Sequence, residues 1–358
     1  MRLCYISGSF PPHRDGVGDF AWHISQILPE LGFDDLMIVL KPEVDIPNGY
    51  QVIKTNFNHH ELNAVRNKII KFKPDLVLIE YPCTGYGKNL MINMLPIMLK
   101  LSDRSIKIAL TVHEYSDYTW KGKIRIAMMC LAANKVMVTD RNNLILLSRI
   151  KNNLKAILPV PPQIPITIKK DYTLSTKGLT FAFWGFVRPD KGLHLLLSAF
   201  KLFIHDNPNT KLHLYTELGD TEYQKAQRDY IIEESLTEQI KITGFLDNES
   251  LSRILSDSDV CVLPFIDGVS DRRGSLKACL AMGIPVISTE PSVNNSPEGL
   301  LNNENIILCK PDVESLLAAM KKMKGEKLRS RLGRNAYEWG KTQNWGTIKQ
   351  ILNKVLKD

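Results

Sequence analysis

Two loops concentrate the residues able to do chemistry. The first, Gly185-Phe186-Val187-Arg188-Pro189-Asp190-Lys191-Gly192, holds a guanidinium and an ammonium three positions apart across a proline turn, just before a helical pattern. A planar fork of donors beside a compact point charge suits a diphosphate. The second, Pro264-Phe265-Ile266-Asp267-Gly268-Val269-Ser270-Asp271-Arg272-Arg273-Gly274-Ser275-Leu276, carries two each of Arg, Asp, Ser and Gly. Leu276 to Met282 reads as a short helix, so the amides of Gly274 and Ser275, beside Arg272 and Arg273, offer a site for an anion. The plain alternative for either loop is a basic pair on a solvated surface, so what falls at equivalent places elsewhere must decide.

Polar clusters do recur at such places. Gly8 to Asp19 follows an apolar strand, Arg2 to Ser7, and precedes a helical pattern through Phe20, Ile24, Ile27 and Leu28. Gly16, Val17 and Gly18 at the helix entrance permit tight turns and close approach of a ligand to main-chain amides. The third glycine and tight spacing of a dinucleotide fingerprint are missing. Glu80-Tyr81-Pro82, leading to Tyr86-Gly87, and His113-Glu114-Tyr115-Ser116-Asp117 are two further clusters at apolar strand ends.

The elements that would position these groups alternate between short apolar strands and amphipathic helices. Strands are expected at Leu36–Leu40, Leu76–Glu80, Ile106–Val112 and Val136–Thr139, with helices at Glu61–Phe72, Asn89–Leu101, Ile124–Asn134 and Asn142–Lys151. A second series of strands runs Leu179–Trp184, Lys211–Tyr215, Ile240–Thr243, Val260–Leu263, Val286–Thr289 and Ile306–Leu308. Helices are expected between them at Leu193–Asp206, Thr221–Ser235, Glu249–Ser256 and Leu276–Met282. Pro159-Val160-Pro161-Pro162-Gln163-Ile164-Pro165, with polar residues through Lys177, reads as a junction near residue 170. The expectation is two doubly wound α/β domains, 1–170 and 171–344, facing a central cleft, with ligands beyond the carboxyl ends of the strands.

With 358 residues and a net charge of +8, two domains are the first expectation. Residues 1–170 hold about 22 Lys and Arg against about 14 Asp and Glu, while the remainder balances at about 24 of each. The excess positive charge therefore lies in the first half and favours an anionic lipid surface or a phosphate-bearing acceptor. No basic-aromatic motif or recognisable module points to nucleic acid. No apolar run approaches the roughly 18 residues of a membrane span, and the N-terminus does not read as a secretory signal. Six scattered cysteines, Cys4, Cys83, Cys130, Cys261, Cys279 and Cys309, lack metal-ligand spacing and favour a reduced, cytoplasmic protein.

Taken together, these residues resemble the retaining glycosyltransferases of the GT-B fold, specifically family 4, which uses nucleotide-sugar donors. The resemblance rests on Gly16-Val17-Gly18, Thr111-Val112-His113-Glu114, Arg188-Pro189-Asp190-Lys191-Gly192 and Ile242-Thr243-Gly244-Phe245-Leu246. Ser258-Asp259-Val260 and Arg272-Arg273-Gly274-Ser275-Leu276 through Gly283-Ile284-Pro285-Val286 complete it, in family order over nearly the whole chain. It implies Rossmann-like domains that bind acceptor (1–170) and nucleotide sugar (171–344), and a helix at 345–358 crossing back to the first.

Further implications concern the site. Lys191 and Arg188 would bind the donor diphosphate and stabilise its growing charge, with Gly185, Arg272, Arg273, Gly274 and Ser275 around it. Gly244 and Phe245 would lie beside the base, Gly16 to Gly18 would close over the phosphates, and His113 would touch the donor sugar. The family pattern places two glutamates where Ser270 and Ala278 stand, so the Arg-Arg-Gly-Ser-Leu run resembles a subgroup lacking that pair, and Asp267 or Asp271 could supply a carboxylate instead. The expected enzyme keeps anomeric configuration and needs no metal or cofactor. It transfers a sugar from a nucleoside-diphosphate donor to a glycan, lipid-linked or phosphate-bearing acceptor, in the cytoplasm or peripherally on the inner face of the membrane. A nucleotide-sugar epimerase of the same fold and a non-catalytic donor-binding subunit are the alternatives.

Overall fold

A computed structural model describes residues 1–13, 15–44, 49–150, 154–166, 168–170, 178–291 and 295–357. Arg14, the expected helix end at Lys151 and residues 167 and 171–177 of the polar run lie outside the described residues. The chain divides into two compact units, Met1–Val160 with Gly346–Asp358, and Pro161–Trp345, so the division falls upstream of the junction expected near residue 170.

In the first unit β1 (Arg2–Ile6), α1 (Gly16–Glu30), β2 (Asp35–Leu40), β3 (Gln51–Lys54) and α2 (Leu62–Phe72) come first. They are followed by β4 (Leu76–Tyr81), α3 (Met91–Ser102), β5 (Lys107–Val112), α4 (Trp120–Ala132), β6 (Lys135–Val138), α5 (Arg141–Ser148) and β7 (Leu154–Ile157). All seven strands are parallel, in the order β3-β2-β1-β4-β5-β6-β7. Continuous apolar runs such as Leu76-Val77-Leu78-Ile79 suit strands covered by helices on both faces.

In the second unit β8 (Thr180–Trp184), α6 (Leu193–His205), β9 (Lys211–Tyr215), α7 (Glu222–Glu233), β10 (Ile240–Ile242) and α8 (Asn248–Ser256) precede β11 (Val260–Leu263). Then come α9 (Gly274–Ala281), β12 (Val286–Thr289), β13 (Ile307–Cys309), α10 (Val313–Lys322) and α11 (Glu326–Gly340). Six parallel strands take the order β10-β9-β8-β11-β12-β13. The last helix, α12 (Trp345–Lys357), belongs almost wholly to the first unit. There Lys135 Nζ donates to the Val355 carbonyl at 2.7 Å and Lys349 pairs with Glu30 at 2.6 Å.

Both sheets reverse direction of strand addition once, between β1 and β4 and between β8 and β11. At such a switch point the loops leaving adjacent strands part and open a crevice at the carboxyl edge. Gly8 to His13 with Asp15, and Pro82 to Leu90, flank the first; Gly185 to Gly192 and Pro264 to Arg273 flank the second.

Candidate functional site

The second switch point carries the cations. A short 3-10 turn at Pro189–Lys191 ends at Gly192, whose φ of +69° and close approach to the Pro264 carbonyl (1.9 Å from where a Cβ would sit) admit only glycine. The Ile266 amide donates to the Asp190 carbonyl at 3.0 Å, tying the two loops together. That seam brings four cationic side chains around two carboxylates. Arg188 grips Asp190 with Nε and Nη2 at 3.0 and 3.2 Å, and Lys191 Nζ and Arg273 Nη1 stand 3.5 and 3.6 Å from the same carboxylate. Asp267 accepts from Arg272 at 2.5 Å and from Arg273 Nη2. Beneath them lies the Phe265 ring, 4.4 Å from the Arg273 guanidinium carbon and 5.3 Å from Lys191 Nζ.

The two carboxylates do not match the four cations. Burial, and then Arg273, depress the Lys191 ammonium to about 7 against the pull of Asp190. Burial opposes the charge on Asp190, yet Lys191, Arg188 and Arg273 outweigh it and hold that carboxyl below its usual range. Two buried polar atoms here, Arg273 Nε and Ser270 Oγ, have no hydrogen-bond partner among the described residues. Buried donors are nearly always satisfied, so orphans beside surplus positive charge mark a place for an anion.

Around this cluster, Gly185 adopts φ of +125° and accepts from Thr216 Oγ1 at 2.7 Å. Gly244, at φ +74°, and the exposed Phe245 follow β10 at the far edge of the same sheet. The α9 N-terminus carries no side-chain cap, but the helix starts at Gly274, earlier than expected, and the Gly274 amide turns back to the Arg272 carbonyl at 3.2 Å. Ser275 therefore lies inside the first helical turn. Sequence reasoning missed three participants. Asp190 is the shared counter-ion, and Phe265 is the floor. Lys277 is fully buried on α9 and pairs with Asp271 at 3.2 Å. A lysine inside Leu276-Lys277-Ala278-Cys279-Leu280 was the available signal for the last.

The first switch point is filled by the protein's own polar groups. Asp15 Oδ1 accepts the Val17 amide at 3.0 Å and caps α1, while Oδ2 accepts the Thr84 amide and hydroxyl at 2.8 and 2.7 Å. Ser9 Oγ accepts the Gly85 amide at 3.0 Å, and a Cβ on Gly85 would sit 1.7 Å from the Gly8 carbonyl oxygen. The turn conformation expected of the glycines needs correction here. Gly16 and Gly18 are helical rather than in turns, and Gly18 lets α1 pack against Ser9 and Phe10.

His113 is buried at the end of β5, its Nε2 2.7 Å from Glu80 Oε2 and its ring edge-on to Phe20. Glu80, wholly buried, also accepts from Tyr5 at 3.1 Å and Thr111 at 3.3 Å. A lone carboxylate in Leu76-Val77-Leu78-Ile79-Glu80-Tyr81 was legible in the sequence, its partners were not. Among the described residues no group of three or more His, Cys, Asp or Glu could hold a metal ion, the six cysteines are free, and no helix is long and apolar enough to cross a membrane.

Comparison with known proteins fits this geometry. Residues 166–339 match the family model described as glycosyl transferases group 1, a stretch wholly within the second unit. No curated protein sequence matches the chain. Among solved structures, sucrose-phosphate synthase from Thermosynechococcus elongatus superposes with a TM-score of 0.79 at 15% identity, over 100% of this chain and 98% of the other. Anabaena Alr3699/HepE in complex with UDP-glucose gives 0.76 at 13%, over 100% and 99%. The lipopolysaccharide outer core galactosyltransferase WaaB gives 0.73 at 11%, over 99% of each. These likenesses show the GT-B fold along the whole chain, with the cationic cluster inside the stretch that the family model matches.

Proposed function

We propose that the protein transfers a glycosyl group from a nucleoside-diphosphate sugar to a glycan, lipid-linked or phosphate-bearing acceptor, with retention of anomeric configuration. The observation that carries this is the surplus of buried cationic donors at the second switch point, with Arg273 Nε and Ser270 Oγ unpartnered. A diphosphate supplies the missing negative charge. The Anabaena likeness, whose structure holds UDP-glucose, supports a uridine donor.

In this reading Arg188, Lys191, Arg272 and Arg273 hold the pyrophosphate, and Lys191 meets the charge that develops as the sugar–phosphate bond breaks. Four side-chain cations do what a divalent metal would otherwise do there. Asp271, fixed by Lys277, and Asp267 are the carboxylates available to sugar hydroxyls. Gly185 and Gly244 keep backbone free of side chains where the nucleoside lies, with Phe245 beside the base. His113, oriented by Glu80, is the residue of the first unit that we assign to the donor sugar.

Incubation with UDP-, ADP- and GDP-sugars, followed by nucleoside diphosphate release and product mass, tests the assignment. Release of nucleoside diphosphate with a glycosylated product is expected. A folded protein that binds none of these nucleotides contradicts it. Donor binding without turnover would favour a non-catalytic donor-binding subunit, a reading that gains from Ser270 and Ala278, which bring no carboxylate to the donor.

A further inference from the structure

One face of the first unit is apolar without being buried. On α4, Trp120, Ile124, Met128 and Leu131 are 68, 51, 45 and 54% exposed. At about 100° per residue these four fall within an arc of about 80°. The opposite side of the same helix, Gly122, Ile126, Met129 and Cys130, is buried in the core. The helix is therefore apolar on two faces, and its cations, Lys121, Lys123 and Arg125, flank the outer one, with no carboxylate anywhere on it. Lys121 Nζ lies 5.6 Å from the Trp120 ring. Helix α3 packs alongside α4, Asn93 Nδ2 meeting Met129 Sδ at 3.2 Å, and with Leu90 at its N-cap adds exposed Met94 and Leu101, again with lysine but no acid. A stripe of aromatic and aliphatic side chains edged by cations is the pattern of a helix lying in a lipid interface.

A second feature adjoins it. A cavity of about 300 Å³ is walled by Tyr81, Tyr86 and Tyr118 and lined by Lys88 and Arg125. Lys88 and Asn89 lead directly into Leu90, and Arg125 belongs to α4 itself, so cavity and stripe are built on the same elements. Neither Lys88 nor Arg125 has an ion pair or side-chain hydrogen bond among the described residues. The carboxylates that act on Tyr118, Glu114 and Asp117, do not line the cavity. Two unneutralised cations over aromatic walls suit a phosphate ester.

We propose that the α3–α4 face docks on an anionic lipid bilayer and that the Lys88–Arg125 cavity takes the phosphate headgroup of one lipid from it. This deepens the proposed function, on which it rests for the acceptor, by naming that acceptor as a membrane-borne phospholipid or lipid phosphate.

Flotation of the full chain with vesicles tests the idea without donor or turnover, so its failure leaves the donor reading untouched. The protein should float with phosphatidylcholine vesicles containing phosphatidylglycerol, weakly with phosphatidylcholine alone, and less in high salt. Joint Trp120→Ser, Ile124→Ser and Met128→Ser replacement should cut partitioning at least about tenfold. Joint Lys88→Gln and Arg125→Gln replacement should remove most of the preference for anionic vesicles, about 25-fold if each cation contributes about fivefold. Both variants alter exposed or half-exposed side chains and should keep the wild-type thermal midpoint. Equal flotation of wild type and variants overturns the proposal. So does a dimer that the serine variant makes monomeric, which would assign the face to a second copy. Inorganic phosphate that binds through Lys88 and Arg125 but is not displaced by anionic vesicles would assign the cavity to a soluble ligand and overturn the headgroup assignment.

Discussion

The two switch points are the same piece of topology put to different ends. In the first unit the crevice between β1 and β4 is closed by groups that satisfy one another: Asp15 with Val17 and Thr84, Ser9 with Gly85. In the second, the crevice between β8 and β11 gathers four cations on two carboxylates and leaves two buried donors unpaired. Topology supplies the opening, and the side chains decide whether the protein or a ligand fills it. The first arrangement contributes stability, whereas the second stores unfavourable electrostatics that a bound anion would relieve.

The largest effects should come from breaking the charged side. Lys191→Ala or Arg273→Ala should lower donor turnover by about 100- to 1,000-fold, as for loss of a preorganised charge donor. Lys191→Met should weaken diphosphate binding by about tenfold at neutral pH while raising the thermal midpoint, because it removes a buried ammonium already depressed to about 7. Calorimetry beside a melting curve reads both, and a Lys191→Met protein that melts earlier would contradict the stored strain. On the sealed side, Gly85→Ala forces a Cβ against the Gly8 carbonyl and should cost roughly 3 kcal/mol. Asp15→Ala should cost about 1 to 2 kcal/mol by uncapping α1. Neither should change nucleoside diphosphate affinity; a tenfold loss in either variant would erase the distinction between the two crevices.

The strands were legible because most are short apolar runs, and β9, β11 and β12 fall on the expected residues. β3 was not, since Gln51-Val52-Ile53-Lys54 is an edge strand with one buried side chain. Nor were α10 and α11, which follow the last loop of the site. Arg188, Lys191, Arg272 and Arg273 were visible as cations at strand ends, and the structure brings them together. What stayed hidden was their counter-ion: Asp190 reaches Arg273 only because Ile266 binds the Asp190 carbonyl and Gly192 yields to Pro264. Such pairing is a property of two distant loops, not of either sequence. The backbone of Gly16 and Gly18 reads as turns in the sequence for the opposite reason, since a cap at Asp15 draws both glycines into α1.

The central claim is that the second crevice waits for an anion, and proton linkage tests it most directly. Free Lys191 titrates near 7, so at higher pH it is mostly neutral, and a diphosphate beside it restores the ammonium by taking up a proton. Titration of the protein with UDP at pH 8, in buffers of different ionisation enthalpy, should show uptake approaching one proton. Affinity should fall up to about tenfold per pH unit above that pKa, and both effects should vanish in Lys191→Met. Proton-neutral binding, unchanged by that substitution, would contradict the account.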